Sequence, residues 1–307
     1  WDKQIKFYNK VMTLDKQEQD VKIIQHFVGQ PYLEIKSGLK ADFKVQYFDG
    51  DKLVYENTIG SNSWVKLNRE YYTKWESKVF MNGELIHHNV LDLAGKRVYI
   101  ALSSKSLGDT IAWAPYAEEF QKKHKCKVIL STFLNKILFM PEIEFVEPGT
   151  VVPNIYAQYN IGWFYDSNKE PVLPNTIKLQ EAATKILGLE FKEIRPNLRY
   201  EVKEIEQLTM YVTIATNSTS GCKFWTKEGW QGVINYLHNL GYSVINVSLE
   251  ENQFDNCHQI INEDIYKTMS LIDNSEFFIG LGSGVSWLAW ALGKQVVMIN
   301  NFAEEGH

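Results

Sequence analysis

Between Pro31 and about Asn89, apolar and polar residues alternate with period two, as in FKVQYF (43–48), KLVYEN (52–57) and WESKVF (75–80). That spacing sends alternate side chains to opposite faces of a strand. Asp49-Gly50 and Asn82-Gly83 divide the runs with residue pairs that two-residue hairpins favour. The segment predicts a small antiparallel β domain over residues 1–95, a sandwich or partial barrel. Ahead of it, QEQDVKIIQHF (17–27) is compatible with one short helix.

After Gly95 strands begin to alternate with helices. RVYIALS (97–103) reads as a buried strand, followed by a glycine-containing loop, a helix running toward His124 and a strand over 127–130. Pro115 means that this helix either begins near Ala114 or kinks there. The stretch from Phe139 to Pro174, rich in Pro, Gly, Asn and aromatics, predicts only loops and short elements. The last third is clearer. YVTIA (211–215) leads to a helix from about Thr226, in which Trp230, Val233, Ile234, Leu237 and Leu240 recur at helical spacing before Gly241 ends it. SVINV (243–247), a helix near 264–272, FFIGL (277–281), a helix over 285–292 and VVMI (296–299) complete the series. Two successive strand–helix units predict an α/β chain with two Rossmann-like domains, 96–205 and 206–307, behind the small β domain. Ligands of such sheets bind beyond the carboxyl ends of the strands.

Composition narrows the function. The chain has 307 residues, 45% of them apolar, enough for several cores. Its net charge of -5 comes from interspersed acids and bases, without the basic stripe that a nucleic-acid partner requires. No window approaches 18 uninterrupted apolar residues, and WDKQIKFYNK carries charge where a signal peptide has its apolar core. These features read as a cytoplasmic protein with no membrane span. Cys126, Cys222 and Cys257 are widely separated and odd in number, which predicts free thiols and no metal site. Trp1 is not an initiator Met and His307 follows directly on a strand, so the chain is expected to continue at both ends.

Three strand-to-helix junctions carry candidate chemistry. In SKSLGDT (104–110), Gly108 permits a tight turn and Asp109 can project from the strand end. That carboxylate either takes a proton from a hydroxyl or only caps the following helix. In TNSTSGCKFW (216–225), Ser218 and Thr219 offer hydroxyls and Lys223 a cation beside a helix start, the equipment for a diphosphate. The glycine spacing of a Walker loop is missing, and by itself the loop reads more readily as solvated surface with an exposed lysine. In GLGSG (280–284), glycines at a strand-to-helix turn let backbone approach a phosphate or ribose, or serve tight packing. Trp287 and Trp290 read as packing residues, and His87 and His88 as surface residues of the β segment.

SLGDTIAWAPY (106–116), STSGCKFWTKEGW (218–230) and GLGSGVSWLAWALGK (280–294), in this order and at these junctions, resemble the heptosyltransferases. With IGWFYD (161–166) and SWLAWALGK, the texture from about Lys96 onward is similar to the autotransporter heptosyltransferases, glycosyltransferases of the GT-B fold. The resemblance implies an inverting transfer of a heptose, or a similar sugar, from ADP-heptose to serine hydroxyls of an autotransporter-type protein. It implies Asp109 as general base, with Gly108 at its turn. Ser218, Thr219 and Lys223 would hold the diphosphate, and Gly282, Ser283, Gly284 and Val285 the nucleotide sugar. It further implies a homo-oligomer and an iron-binding cysteine segment, which would lie beyond His307; no cofactor is expected within the chain. The lipopolysaccharide-core enzymes carry Asp-Thr-Gly and a His where this chain has Gly282-Ser283-Gly284 and Trp287, so their sugar contacts do not transfer. Two other readings stay open: a non-catalytic sugar-nucleotide or glycan-binding module, and another GT-B enzyme such as a sugar-nucleotide epimerase.

Overall fold

The computed structural model describes residues 21–201, 210–248, 250, 253–261 and 264–300. The chain opens on β1 (Val21–Val28) and β2 (Tyr32–Ser37), an antiparallel pair. Then come β3 (Asp42–Asp49), β4 (Lys52–Gly60), β5 (Ser63–Lys66), β6 (Trp75–Met81) and β7 (Glu84–Val90). Four of these strands form an antiparallel sheet in the order β4-β3-β6-β7. Its inner face is the odd-numbered set that the alternation singles out: Phe43, Val45, Tyr47 and Val79 are fully buried. Asn82 and Gly83 both take positive φ, as the tight β6–β7 turn demands.

The remaining three strands correct the picture of one β unit over 1–95. β1, β2 and β5 leave the antiparallel sheet and extend a parallel one. That sheet is built from β8 (Arg97–Leu102), β9 (Lys127–Ser131), β10 (Glu144–Val146) and β11 (Ala157–Ile161), in the order β10-β9-β8-β11-β1-β2-β5. The helix expected over 17–27 is likewise overturned where it is described. Val21–Val28 pairs in parallel with β11 and antiparallel with β2, because an open sheet edge offers its β-branched residues a ladder that local propensity does not anticipate. Residues 17–20 lie outside the described ones. β11 itself falls in the stretch read as loop, yet Ala157, Tyr159 and Ile161 are buried at period two.

The helices α1 (Leu107–Trp113) and α2 (Pro115–His124) follow β8, broken at Ala114 with Pro115 as the first residue of the second. α3 (Leu179–Leu187) covers the same sheet near β11. The last third folds as its pattern predicts: β12 (Tyr211–Ala215), α4 (Lys227–Asn239), β13 (Ser243–Ser248), β14 (His258–Ile261), α5 (Ile265–Asp273), β15 (Phe278–Leu281), α6 (Gly284–Ala291) and β16 (Val296–Ile299). All five strands run parallel, in the order β14-β13-β12-β15-β16. The short β14 is the element that the pattern did not reveal. Among the described residues, no helix is long and apolar enough to cross a membrane.

His124, at the end of α2, makes the core sensitive to acid. Its ring sits 4.4 Å from that of Phe120 and 4.8 Å from that of Tyr72, and its Nε2 is buried without a hydrogen-bond partner. Burial, reinforced by Lys123, pushes its pKa down to about 4. The folded imidazole therefore stays neutral between pH 6.5 and 4, whereas the unfolded chain takes up a proton there, so stability falls as pH drops through that window. Allowing for partial exposure, urea unfolding at pH 5 should give about 1–2 kcal/mol less stability from this group than at pH 7. His124→Phe keeps the aromatic packing and should shrink the pH-dependent loss by that amount.

Candidate active site

A cavity of about 640 Å³ lies where the carboxyl ends of strands from both parallel sheets meet. From the seven-stranded sheet come Ser106, Gly108 and Asp109 after β8 and Trp163 after β11. From the five-stranded sheet come Ser218, Thr219 and Lys223 after β12 and Gly282, Ser283 and Gly284 after β15. Asp109 and Lys223 thus share one cavity, as the strand-end rule for α/β sheets requires of a joint site.

On the first wall, the capping role belongs to Ser106. Its Oγ accepts the Asp109 N–H at 3.4 Å, which frees the Asp109 carboxylate from the cap. Asp109 Oδ2 instead accepts the Trp163 Nε1–H at 3.2 Å. Gly108 does something other than allow a tight turn. Its φ is not positive and it lies within the first turn of α1, but a methyl there would sit 3.1 Å from Trp287 Cδ1 and 3.3 Å from Gly284 Cα. The two glycines let α1 and α6 approach closely, so the starts of both helices border the cavity. The peptide N–H groups of a first turn lack helical partners and carry the positive end of the helix dipole.

On the second wall, Lys223 Nζ donates to the Gly282 carbonyl at 2.9 Å, tying the β12–α4 loop to the β15–α6 turn. The helix start expected to support this loop is not at the cavity. Thr226 caps α4 by accepting the Gly229 N–H at 3.1 Å, and neither Thr226 nor Lys227 lines the cavity. The helix start that does so is that of α6. Ser283 precedes it without capping it, and its Oγ is buried with no hydrogen-bond partner. A buried hydroxyl left unpaired beside a cavity is an acceptor and donor in waiting. Val285 does not line the cavity; it packs partly buried against the core.

Several lining residues escaped the sequence reading. Trp163 stands two residues beyond the end of β11, so only recognition of that strand would have marked it. Asn175 and Thr176 come from a single 3-10 turn, and Asn300 directly follows β16. Trp287, read as packing, does both jobs: it lines the cavity, rests on Gly108 and meets the Trp290 ring edge-on at 5.4 Å. His87 and His88 lie outside the cavity lining and pair with Gln25 and Glu76.

Among the described residues, no group of three or more His, Cys, Asp or Glu is placed to hold a metal. Cys126, Cys222 and Cys257 form no disulfide among the described residues, and burial pushes the Cys126 and Cys257 thiols up to about 11. The described side chains therefore do not fit an iron site.

No protein-family model matches the chain. Known proteins do. It is 33% identical over 267 residues to the autotransporter heptosyltransferase BAHTCr of Citrobacter rodentium, covering 79% of this chain and 64% of that one. It is 33% identical over 262 residues to the autotransporter heptosyltransferase TibC of Escherichia coli O78:H11, covering 78% and 64%. The crystal structure of TibC, described as a dodecameric iron-containing heptosyltransferase in complex with ADP-D-beta-D-heptose, superposes with a TM-score of 0.84 at 27% identity, over 92% of this chain and 79% of that chain. A relative from Burkholderia thailandensis, 26% identical over 82% of this chain and 64% of its own, is described as an inactive autotransporter heptosyltransferase, BimC. The chain spans just under two thirds of the length of these curated relatives.

Proposed function

Because the chain belongs to the autotransporter heptosyltransferase family, we propose that it moves a heptose from ADP-heptose to serine hydroxyls of an autotransporter-type protein, with inversion at the anomeric carbon. The observation that carries this reading is the shared cavity: a carboxylate on one wall, a lysine and an unpaired hydroxyl on the other. In this reading the two parallel sheets are the lobes of a GT-B enzyme, residues 96–205 and 206–307, the first extended by β1, β2 and β5. The protein works in the cytoplasm as a homo-oligomer, like the dodecamer described for TibC.

Asp109 takes the proton of the acceptor hydroxyl as its oxygen attacks the anomeric carbon. The bond from that carbon to the diphosphate breaks on the opposite face, and ADP departs with the bonding pair. Negative charge grows on the diphosphate while the sugar becomes oxocarbenium-like. Donors fixed in advance stabilise that state more than the ground state. Lys223, Ser218 and Thr219 supply them on the β12–α4 loop, and the α6 amides and Ser283 supply them on the Gly282–Gly284 turn.

The transfer is tested by incubating the protein with ADP-heptose and an autotransporter passenger fragment, then weighing the fragment intact. Added mass in steps of one heptose is the expected result; an unmodified fragment overturns the reading. The relative described as inactive favours one alternative, a chain that holds the sugar nucleotide without turnover. Such a chain would bind ADP-heptose in calorimetry and leave the fragment unchanged. Lys223→Met should weaken ADP binding by about tenfold, roughly 1.4 kcal/mol. Unchanged affinity in the titration would remove Lys223 from the diphosphate site.

A further inference from the structure

One contact at the cavity has no part in the chemistry above. The Trp163 indole donates its N–H to Asp109 Oδ2 at 3.2 Å, although the ring is 41% exposed. A tryptophan that serves only as core is mostly buried, whereas this one keeps a face open to the cavity and turns its polar atom onto the carboxylate. Its pose is built from below. The ring leans on that of Trp113, with centroids 6.1 Å apart, and Trp113 is buried and fastened by its own N–H to the Leu179 carbonyl at 2.9 Å.

The loop that presents Trp163 is equally constrained. A methyl on Gly162 would lie 2.8 Å from the Phe164 ring and 3.2 Å from Ser103 Cβ. Tyr165 adopts φ 49, a left-handed conformation unusual for an aromatic residue. Its N–H is taken by Glu170 Oε1 at 2.8 Å, and Glu170 is only 4% exposed. A left-handed tyrosine and a buried carboxylate persist where the surrounding structure holds them, and such features gather at working sites.

Resting on the transfer reading above, we infer that Trp163 is a positioning residue for that reaction: its indole N–H occupies Oδ2, fixes the plane of the Asp109 carboxylate and leaves Oδ1 to meet the acceptor hydroxyl. A freely turning carboxylate would spend most of its time misaligned, and misplacement of a reacting group by about 1 Å can cost a hundredfold in rate. Trp163→Phe keeps an aromatic ring on Trp113 and loses the donor. It should lower kcat by about tenfold with the donor KM within about twofold. In the Asp109→Asn background the same change should have no further effect, since there is no base left to align.

A tryptophan serving only as a stacking surface for substrate would give the opposite split, KM raised with kcat unchanged, and that result overturns the inference. So does a kcat loss that repeats in full in the Asp109→Asn background. A spectroscopic readout separates this inference from the transfer reading. The indole N–H resonance that disappears from the proton–nitrogen spectrum in Trp163→Phe should move in Asp109→Asn, whether or not the protein turns over. If it stays in place, the contact is not formed and the inference falls, even with transfer intact. If it moves but no fragment is ever glycosylated, the transfer reading fails and takes the positioning role with it.

Discussion

Asp109→Asn should lower kcat for sugar transfer by about 10²–10⁴ while leaving affinity for ADP nearly unchanged. The substitution is close to isosteric, and the amide oxygen can still accept the Trp163 N–H that Asp109 Oδ2 accepts now. Ser106, rather than Asp109, supplies the side-chain cap of α1, so the helix keeps its N-terminal bond. What disappears is the ability to take a proton. Single-turnover transfer followed by intact mass, beside an ADP titration, measures both quantities. Undiminished transfer by the variant would exclude Asp109 as the base; lost ADP binding would assign it to the donor site.

The second large effect concerns a residue with no polar side chain. A methyl on Gly284 would lie 2.9 Å from Leu107 Cβ and 3.0 Å from the backbone nitrogen of Gly108. Neither atom belongs to the free end of a flexible side chain, so α1 and α6 must separate to admit it. Gly284→Ala is expected to cost about 1–3 kcal/mol of stability, read from the urea midpoint. Because Asp109 follows Gly108 directly, the same shift moves the carboxylate relative to the β15–α6 turn. The value of kcat/KM should then fall by roughly tenfold or more. Gly282→Ala is the internal comparison: its methyl would meet only Met298 Sδ, at 3.9 Å. It should leave stability unchanged, and equal destabilisation by the two substitutions would show that the helix crossing does not govern the loss.

These two residues also mark how far the sequence could be read. Asp109 was identifiable because a polar residue after a buried strand in an α/β series has a known place in space, at the carboxyl end of the sheet. The same logic located Ser218, Thr219, Lys223 and the Gly282–Gly284 turn. Gly284 was identifiable as a position but not as a role. A glycine at a strand-to-helix turn reads alike whether it approaches a ligand or another helix, and its neighbour Gly108 is remote in the chain. Val285 shows the reverse error, since a residue one place along the helix turns toward the core and away from the cavity.

Local pattern therefore determined most of what local physics controls. Period-two alternation set the faces of β3 and β6. Asn82-Gly83 set a hairpin, Pro115 the break between α1 and α2, and apolar spacing the run from β12 to β16 apart from β14. Tertiary structure alone decided which edges meet. β2 and β5 carry the same alternation as their neighbours yet complete the other sheet together with β1, because alternation encodes which face is buried and not which strand lies alongside. The same holds for the indole of Trp163 on Asp109 and for the Lys223 ammonium on Gly282: each contact joins groups whose separate surroundings are ordinary, and only the packing of two sheets brings them within hydrogen-bonding distance.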